Sequence, residues 1–198
     1  MDKRRTARRT KSLEVEPIDD TRFRFRLSLE DKSFTDDGEE LIHSLRIDGE
    51  LSIPDLVVLS IEPVAIHHPY AECGASLAPF RALIGARIGT GFRAAVLEAM
   101  GRERGCTHFM TLALDLGAAH TLSTFLRMSA KASYSQRNSS DGEWMRAGLA
   151  IEPRLENACV ALRTGMPVIE NARKSMAPLR TDMTVEDGRK PLTNDDKS

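Results

Sequence analysis

The sequence predicts an α+β fold in which an antiparallel β-meander of three or four strands packs against C-terminal helices. Three observations lead to this prediction. Apolar and polar residues alternate in the first half of the chain, short turn sequences separate the alternating runs, and the second half carries apolar residues at three- and four-residue spacings. A period of two is typical of half-buried strands, and a period near 3.6 is typical of amphipathic helices. Strands followed by helices favour α+β over a parallel α/β arrangement.

The first strand is predicted over 22–29, because four apolar side chains alternate there with arginine and serine in "TRFRFRLSLE". The second strand is predicted over 41–47, where His43, Leu45 and Ile47 share one face. Because leucine and isoleucine make that face apolar, we expect His43 to point inward, toward the core.

Turn sequences delimit these strands. The segment "TDDGEE" predicts a turn through Asp37 and Gly38, and a second turn is predicted at Asp48 and Gly49. Two more strand-like runs follow in "LSIPDLVVLSIEPVAI", and the clearest of them is predicted over 56–61. The expected sheet is therefore a meander whose neighbours in sequence are neighbours in space.

Helices are predicted over 78–83, 92–100 and 108–128, with the strongest periodicity in "THFMTLALDLGAAHTLSTFLRM". Thr107 is the expected N-cap of the last and longest helix, because its hydroxyl can accept a hydrogen bond from a first-turn amide. The following "SAKASYSQRNSSDGEW" is interpreted as a polar insert.

The chain is expected to contain a single globular domain over 21–175 between two polar ends. Residues 1–20 hold six basic side chains between positions 3 and 11, and we interpret them as a solvated, flexible arm rather than a nucleic-acid contact. Residues 176–198 are interpreted as a disordered tail. With 198 residues, 41% of them hydrophobic, the chain is long enough to bury a core without disulfides or other cross-links.

The charge balance excludes several classes of partner. A formal net charge of −1 and a pI of about 6.5 produce no global field that attracts nucleic acid or an anionic membrane. The N-terminus lacks the apolar segment of a secretory signal, and no run reaches the ~18 uninterrupted apolar residues of a spanning helix. We expect a cytoplasmic protein that contacts no membrane. A long sheet edge would allow two chains to pair as a homodimer.

Cys106 and His108 form the strongest candidate site, at the point where "RERGCTHFMTL" passes from a glycine-led loop into a helix. The free amides and the positive dipole end of a helix N-terminus stabilise anions, so the Cys106 thiol is expected to ionise more readily than a free cysteine. His108 could serve as its partner base or as a second metal ligand. The alternative is a small buried cysteine beside a core histidine whose hydrogen bonds are satisfied.

Further soft or borderline metal ligands are distributed along the chain. Cys73 follows a double histidine in "AIHHPYAECG", Cys159 lies late in "ENACVALR", and His43 occupies an inward strand position. If the fold brings Cys73, Cys106, Cys159, His43 and His108 together, they could hold zinc, iron or an iron–sulfur cluster. The total of three cysteines in a reducing compartment argues against a disulfide framework.

The motifs "IHSLRIDGELSIPDL", "PYAEC", "LIGARIGTGF" and "RGCTHFMTL" follow one another in an order that resembles the bacterial domain-of-unknown-function family 2889. The resemblance runs from about residue 29 to residue 168. The residues that it marks share positions with the family's motifs: His43, Pro69, Tyr70, Cys73, Gly85, Gly91, Gly105, Cys106, Thr107, His108 and Cys159. Asp31 and Lys32 in "LEDKSF" match a further family motif more loosely.

The chain departs from the family pattern at two places. Thr111 stands where the family has glutamate in "GCTHLtEL", and Val160 follows Cys159 where the family has histidine. If that glutamate is a general acid or base in relatives, the chemistry of this chain would be altered or absent.

Three classes of function follow from these observations. The first is a small metal- or thiolate-dependent enzyme acting on a small molecule, and the resemblance implies a setting near aromatic-compound catabolism. The second is a metal or cluster carrier, because strands, a loop cysteine, a helix-start cysteine and a late cysteine occur in the order found in NifU-type iron–sulfur scaffold proteins. The third is a structural module whose cysteines are merely buried.

Overall fold

Four antiparallel strands in the order β1-β2-β3-β4 form the sheet of the protein. The computed structural model describes residues 5–135 and 140–174. The strands are β1 (Thr6–Asp19), β2 (Arg22–Thr35), β3 (Gly38–Ser52) and β4 (Val58–His67). The predicted meander and the α+β class are confirmed. β2, β3 and β4 are each longer than the corresponding predicted strand, and β4 starts at Val58, two residues after the predicted start.

β1 corrects the interpretation of residues 1–20 as a flexible arm, because Thr6–Asp19 pairs with β2 along almost its whole length. Most side chains of β1 are exposed, and its pairing brings opposite charges together, with Glu14 opposite Arg26 and Glu16 opposite Arg24. Cross-strand pairs of opposite charge stabilise a sheet by roughly 0.2–1 kcal/mol each. A charged edge strand also resists pairing with other chains.

Gly49 lies inside β3, so the predicted turn at Asp48 and Gly49 is wrong. Gly49 pairs with Phe25 of β2, and a Cβ atom at this position would collide with the Phe25 ring and with the backbone oxygen of Ser60. Gly49 therefore allows close packing in the middle of the sheet, and it does not form a turn of the chain. The predicted turn at Asp37 is confirmed, since it connects β2 to β3.

Helices cover the apolar face of the sheet. A 3-10 segment (Ala71–Leu83) contains the helix predicted over 78–83, and α1 (Phe92–Met100) matches its prediction. The predicted helix over 108–128 is divided into α2 (Thr107–Asp115), a short 3-10 turn and α3 (Ala119–Ser129).

The main core lies between the sheet and these helices. Strand residues at odd positions from Phe23 to Leu29 are buried, and Phe80 and Phe109 meet them from the helical side. Phe80 and Phe109 pack edge to face with their ring centroids 5.4 Å apart. The core therefore fixes α2 against β2 and β3.

The helical stretch Thr107–Ser129 is long and apolar enough, by length and composition, to cross a membrane, with a mean hydropathy of 1.2. Phe109, Leu112 and Leu116 within it are almost fully buried in the core. Of its most apolar window, 39% is buried.

A single domain over 21–175 is expected from the sequence, and the described residues divide into two compact units between Ser123 and Thr124. The second unit contains α4 (Glu143–Ile151) and α5 (Pro167–Lys174), which bury Met145, Ile169 and Ala172 in a small core of their own. The interpretation of 129–144 as a polar insert missed the start of α4. The expected tail over 176–198 lies outside the described residues.

Candidate functional site

Arg9, Asp31 and His43 form a row across three strands. The register pairs Arg9 of β1 with Asp31 of β2, and Asp31 with His43 of β3. Directly paired residues project from the same face of an antiparallel sheet, and Asp31 continues the buried side of β2. The next pair joins Lys32 to Leu41, so Ile42 is the extra residue of a β-bulge. Bulges occur frequently beside active sites, where they reorient side chains.

Arg9 binds both oxygens of the Asp31 carboxylate. Its Nε donates to Oδ1 at 2.6 Å and its Nη2 donates to Oδ2 at 2.8 Å. Charge-assisted pairs of this kind are among the stronger hydrogen bonds in proteins. The hydrogen bonds from Arg9 lower the pKa of Asp31, although burial of the carboxyl acts in the opposite direction. Asp31 is therefore an anion at neutral pH.

Two histidines meet at the same carboxylate. The Nδ1 atom of His43 lies 3.0 Å from Oδ2 of Asp31, and the Nε2 atom of His108 lies 3.6 Å from that oxygen. The centroids of the two imidazole rings lie 4.0 Å apart, and the ring planes are tilted by 33°. The prediction that His43 turns inward toward His108 is confirmed.

The surroundings of His108 favour its neutral form. Burial lowers its pKa, and electrostatic interactions with His43 and Arg9 lower it further, whereas the Asp31 carboxylate opposes this shift. A neutral imidazole near pH 7 offers one nitrogen as a base and one as a donor.

Cys106 lies at the start of α2, which also carries His108. It has an extended backbone, with φ −87° and ψ 134°, and it occupies the N-cap position itself. The predicted N-cap, Thr107, is instead the first helical residue, and no side chain caps the first turn through a hydrogen bond. The Sγ atom of Cys106 lies 3.3 Å from Nδ1 of His108, which is within the range of a hydrogen bond to sulfur.

The contacts form a chain from the Cys106 thiol to the Asp31 carboxylate. Cys106 contacts Nδ1 of His108, and the opposite nitrogen of the same ring faces Asp31, which Arg9 binds from the other side. A nucleophile, a base and a group that orients the base are the three parts of a catalytic triad. The 3.6 Å separation between His108 and Asp31 is typical of such sites before a substrate binds.

The other predicted ligands lie apart from this triad or outside the first unit. Cys73 is partly buried in the first turn of the Ala71–Leu83 segment. Cys159 is exposed and precedes a 3-10 turn of the second unit. Among the described residues, the ligand atoms that converge within 4.8 Å belong to Asp31, His43 and His108, and neither Cys73 nor Cys106 is in that set.

Asp31 and Arg9 are the site residues that sequence reasoning missed. Asp31 continues the odd-numbered series of buried positions in β2, so a carboxylate on an otherwise apolar face was the available signal. Arg9 had no such signal, because its position was assigned to a flexible arm. Thr111, which replaces the family's glutamate, lies one turn beyond His108 and donates its hydroxyl hydrogen to the His108 carbonyl at 2.9 Å.

We expect Arg9→Gln to destabilise the protein by about 1 kcal/mol at neutral pH, because the half-exposed guanidinium is partly screened by solvent. The Asp31 pKa is lowered in the folded state, so this stabilisation is present above the unfolded-state value of about 3.9 and is lost as the pH falls through the folded-state value. The difference in melting temperature between parent and variant should therefore shrink from about pH 7 to about pH 3. Arg24→Gln is the matched control, since its ion pair with Glu16 is more exposed and spans 3.6 Å. An equal effect of both substitutions at both pH values would contradict a specific role for Arg9.

Comparison with known proteins agrees with the motif analysis. A family model described as a protein of unknown function (DUF2889) matches residues 7–121, which is more than half of the chain. The match includes β1 and the whole Cys106–His108–Asp31–Arg9 arrangement, and it ends before Cys159. No curated protein and no solved structure matches the chain significantly, so the similarity to NifU-type scaffolds has no support from them. The chain belongs to the DUF2889 family, in agreement with the order of its motifs.

Proposed function

We propose that this protein is a cytoplasmic thiolate-dependent enzyme that acts on the carbonyl group of a small molecule, with Cys106 as the nucleophile. The observation that carries the proposal is the contact of 3.3 Å between Cys106 Sγ and His108 Nδ1, combined with the position of Asp31 at the opposite nitrogen. This arrangement supports proton removal from the thiol by a base that is itself oriented.

The proton path depends on the two ring nitrogens of His108. Nδ1 accepts the thiol proton, and the imidazolium that forms is stabilised by Asp31 next to Nε2. The sulfur then forms a bond to the carbonyl carbon, and the electron pair of the carbonyl moves to its oxygen. When the intermediate collapses, His108 returns the proton to the leaving group, which leaves an acyl group on Cys106. Water or a second substrate then takes up the acyl group.

The N-terminus of α2 supplies a place for the oxygen anion. The first amides of a helix have no acceptor within the helix, and at this helix no side chain caps them. The backbone amides next to Cys106 are therefore available to donate hydrogen bonds to negative charge on the substrate. A donor of this kind typically contributes about 10²–10³-fold to the rate.

The partial exposure of Cys106 and His108 allows a small substrate to reach them. Cys106 is partly exposed, and the His108 side chain is 26% exposed, so both can be reached from solvent. A groove of about 950 Å³ in the first unit is lined by other residues, including Arg24, Arg81 and Glu50. The link to aromatic-compound catabolism that the family resemblance implies stays a prediction.

Alkylation of Cys106 by iodoacetamide tests the pairing with His108. In a Cys73→Ser/Cys159→Ser background, Cys106 is the one remaining thiol of the chain. Near pH 7, we expect His108→Asn to slow its alkylation by about tenfold or more, because the thiol loses its base. His120→Asn, on α3, is the matched control and should leave the rate unchanged. Equal alkylation rates in the parent background and in His108→Asn would show that His108 is not the base that activates Cys106.

A further inference from the structure

The thiol reaction proposed above does not explain why Asp31, His43 and His108 converge. The proposed reaction assigns His43 no step, yet its ring centroid lies 4.0 Å from that of His108 and its Nδ1 lies 3.0 Å from Oδ2 of Asp31. The three residues each offer one ligand atom, and these atoms lie within 4.8 Å of one another. We propose that Asp31, His43 and His108 bind a divalent transition-metal ion, and that Cys106 is not one of its ligands.

The distances fit a four-coordinate ion. Tetrahedral zinc, with ligands at about 2.0–2.1 Å, places neighbouring ligand atoms about 3.3 Å apart. The Oδ2 atom of Asp31 lies 3.0 Å from Nδ1 of His43 and 3.6 Å from Nε2 of His108, so both separations are within a few tenths of an ångström of that value. Two imidazoles and one carboxylate are ligands that Zn²⁺ and Fe²⁺ accept, and three protein ligands leave one position open.

Arg9 orients the carboxylate without excluding the ion. Its Nε donates to Oδ1 and its Nη2 donates to Oδ2, which is also the oxygen that both histidines approach. Each oxygen of an ionised carboxylate has about two lone-pair directions, so Oδ2 can accept from Nη2 along one of them and bind the metal along the other. A hydrogen-bond partner behind the ligating carboxylate is a general feature of metal sites.

The position of Cys106 makes it a neighbour of the proposed metal site and not a ligand. The sulfur contacts Nδ1 of His108, and the metal would bind Nε2 on the other side of the same ring. A metal-bound His108 therefore keeps its contact with Cys106 as an outer hydrogen bond. In the metal-bound form, Asp31 and His108 are occupied as ligands. The thiol reaction proposed above therefore requires the metal-free form. Metal binding itself does not depend on that reaction.

Titration of the metal-free full-length protein with Co²⁺, followed by visible absorption, tests the ligand set. We expect one Co²⁺ per chain, with the absorption bands of a four- or five-coordinate ion and without the near-ultraviolet charge-transfer band that a thiolate ligand produces. Cys106→Ser should bind Co²⁺ with an affinity close to that of the parent, because the serine hydroxyl can keep the outer hydrogen bond to His108. His43→Gln should bind Co²⁺ at least about tenfold more weakly, because loss of a ligand costs no less than loss of an outer partner. His120→Gln, which changes a histidine outside the cluster, is the matched control and should bind as the parent does.

Equilibrium dialysis with Zn²⁺ checks the same variants without relying on the spectrum. Circular dichroism establishes that each variant is folded, and Asp31→Asn replaces His43→Gln if the latter does not fold. The proposal is overturned by the absence of stoichiometric binding, by parent affinity in the folded ligand variant, or by a thiolate band that disappears in Cys106→Ser. None of these results depends on an enzymatic substrate, so they are distinguishable from a failure of the proposed thiol reaction.

Discussion

Replacing Cys106 with serine is expected to lower the rate of acyl transfer by about 10³-fold or more, because a serine hydroxyl is a far weaker nucleophile than a thiol paired with this base. The substitution changes little volume at a partly exposed N-cap position that makes no capping hydrogen bond. Serine is a preferred N-cap residue, so the melting temperature should be equal to or above the parent value. A large loss of rate without a loss of stability would separate a catalytic role for Cys106 from a structural one.

An activated ester such as p-nitrophenyl acetate provides the assay, with a rapid first turnover as the sign of an acyl-enzyme. Mass spectrometry of the quenched reaction should find the acyl group on Cys106. Cys73→Ser is the matched control, because this second, partly buried cysteine of the first unit should be dispensable. Persistent turnover in Cys106→Ser, or an acyl group carried by Cys73, would contradict the assignment of the nucleophile.

Replacing Phe109 with alanine is expected to lower the free energy of unfolding of the first unit by about 3–5 kcal/mol. The Phe109 ring is 1% exposed, packs edge to face with Phe80 and lies on α2, one residue after His108. The substitution therefore removes a large apolar contact and leaves a cavity behind the helix that carries both Cys106 and His108. Thiol reactivity at Cys106 should decrease as well, because α2 loses the packing that fixes its position on the sheet.

Urea unfolding followed by circular dichroism measures the loss, and the alkylation assay measures its effect on the site. Phe125→Ala is the matched control, since this ring is 48% exposed and its main aromatic contact is with Trp144. A pair of this kind contributes about 0.5–1.5 kcal/mol. Comparable losses from the two substitutions would mean that Phe109 is not a principal element of the core.

The strands and the helix start could be predicted because their patterns are local. Alternation from Phe23 to Leu29 identifies the buried face of β2, and the same rule assigns His43 to the inward face beside Leu45. The glycine-led approach to Cys106 likewise predicts a helix N-terminus, and the observed helix starts at Thr107, within one residue. Each of these predictions depends on residues that are close together in sequence.

β1 gave only a short local signal, the alternation of Leu13 and Val15 with two glutamates, and the basic residues that precede it obscured the rest of the strand. The charges of Glu14 and Glu16 favour a strand only when Arg26 and Arg24 lie opposite them, and that pairing is a property of the assembled sheet. The second unit could not be predicted from local patterns. The small core around Met145 and Ile169 joins two helices separated by irregular chain, so neither helix has a buried face until the other is present.

The sequence by itself determined the α+β meander, the inward face of His43 and the proximity of Cys106 to His108 at a helix start, because periodicity and chain adjacency act over a few residues. Only the tertiary structure decided that Asp31 joins His43 to His108 and that Arg9 binds Asp31 from the neighbouring strand. Those contacts depend on the register of β1, β2 and β3 and on the bulge at Ile42. A shift of one residue would move Asp31 to the opposite face of the sheet, and such a shift is opposed by burial of the whole apolar side of β2 rather than by any local motif.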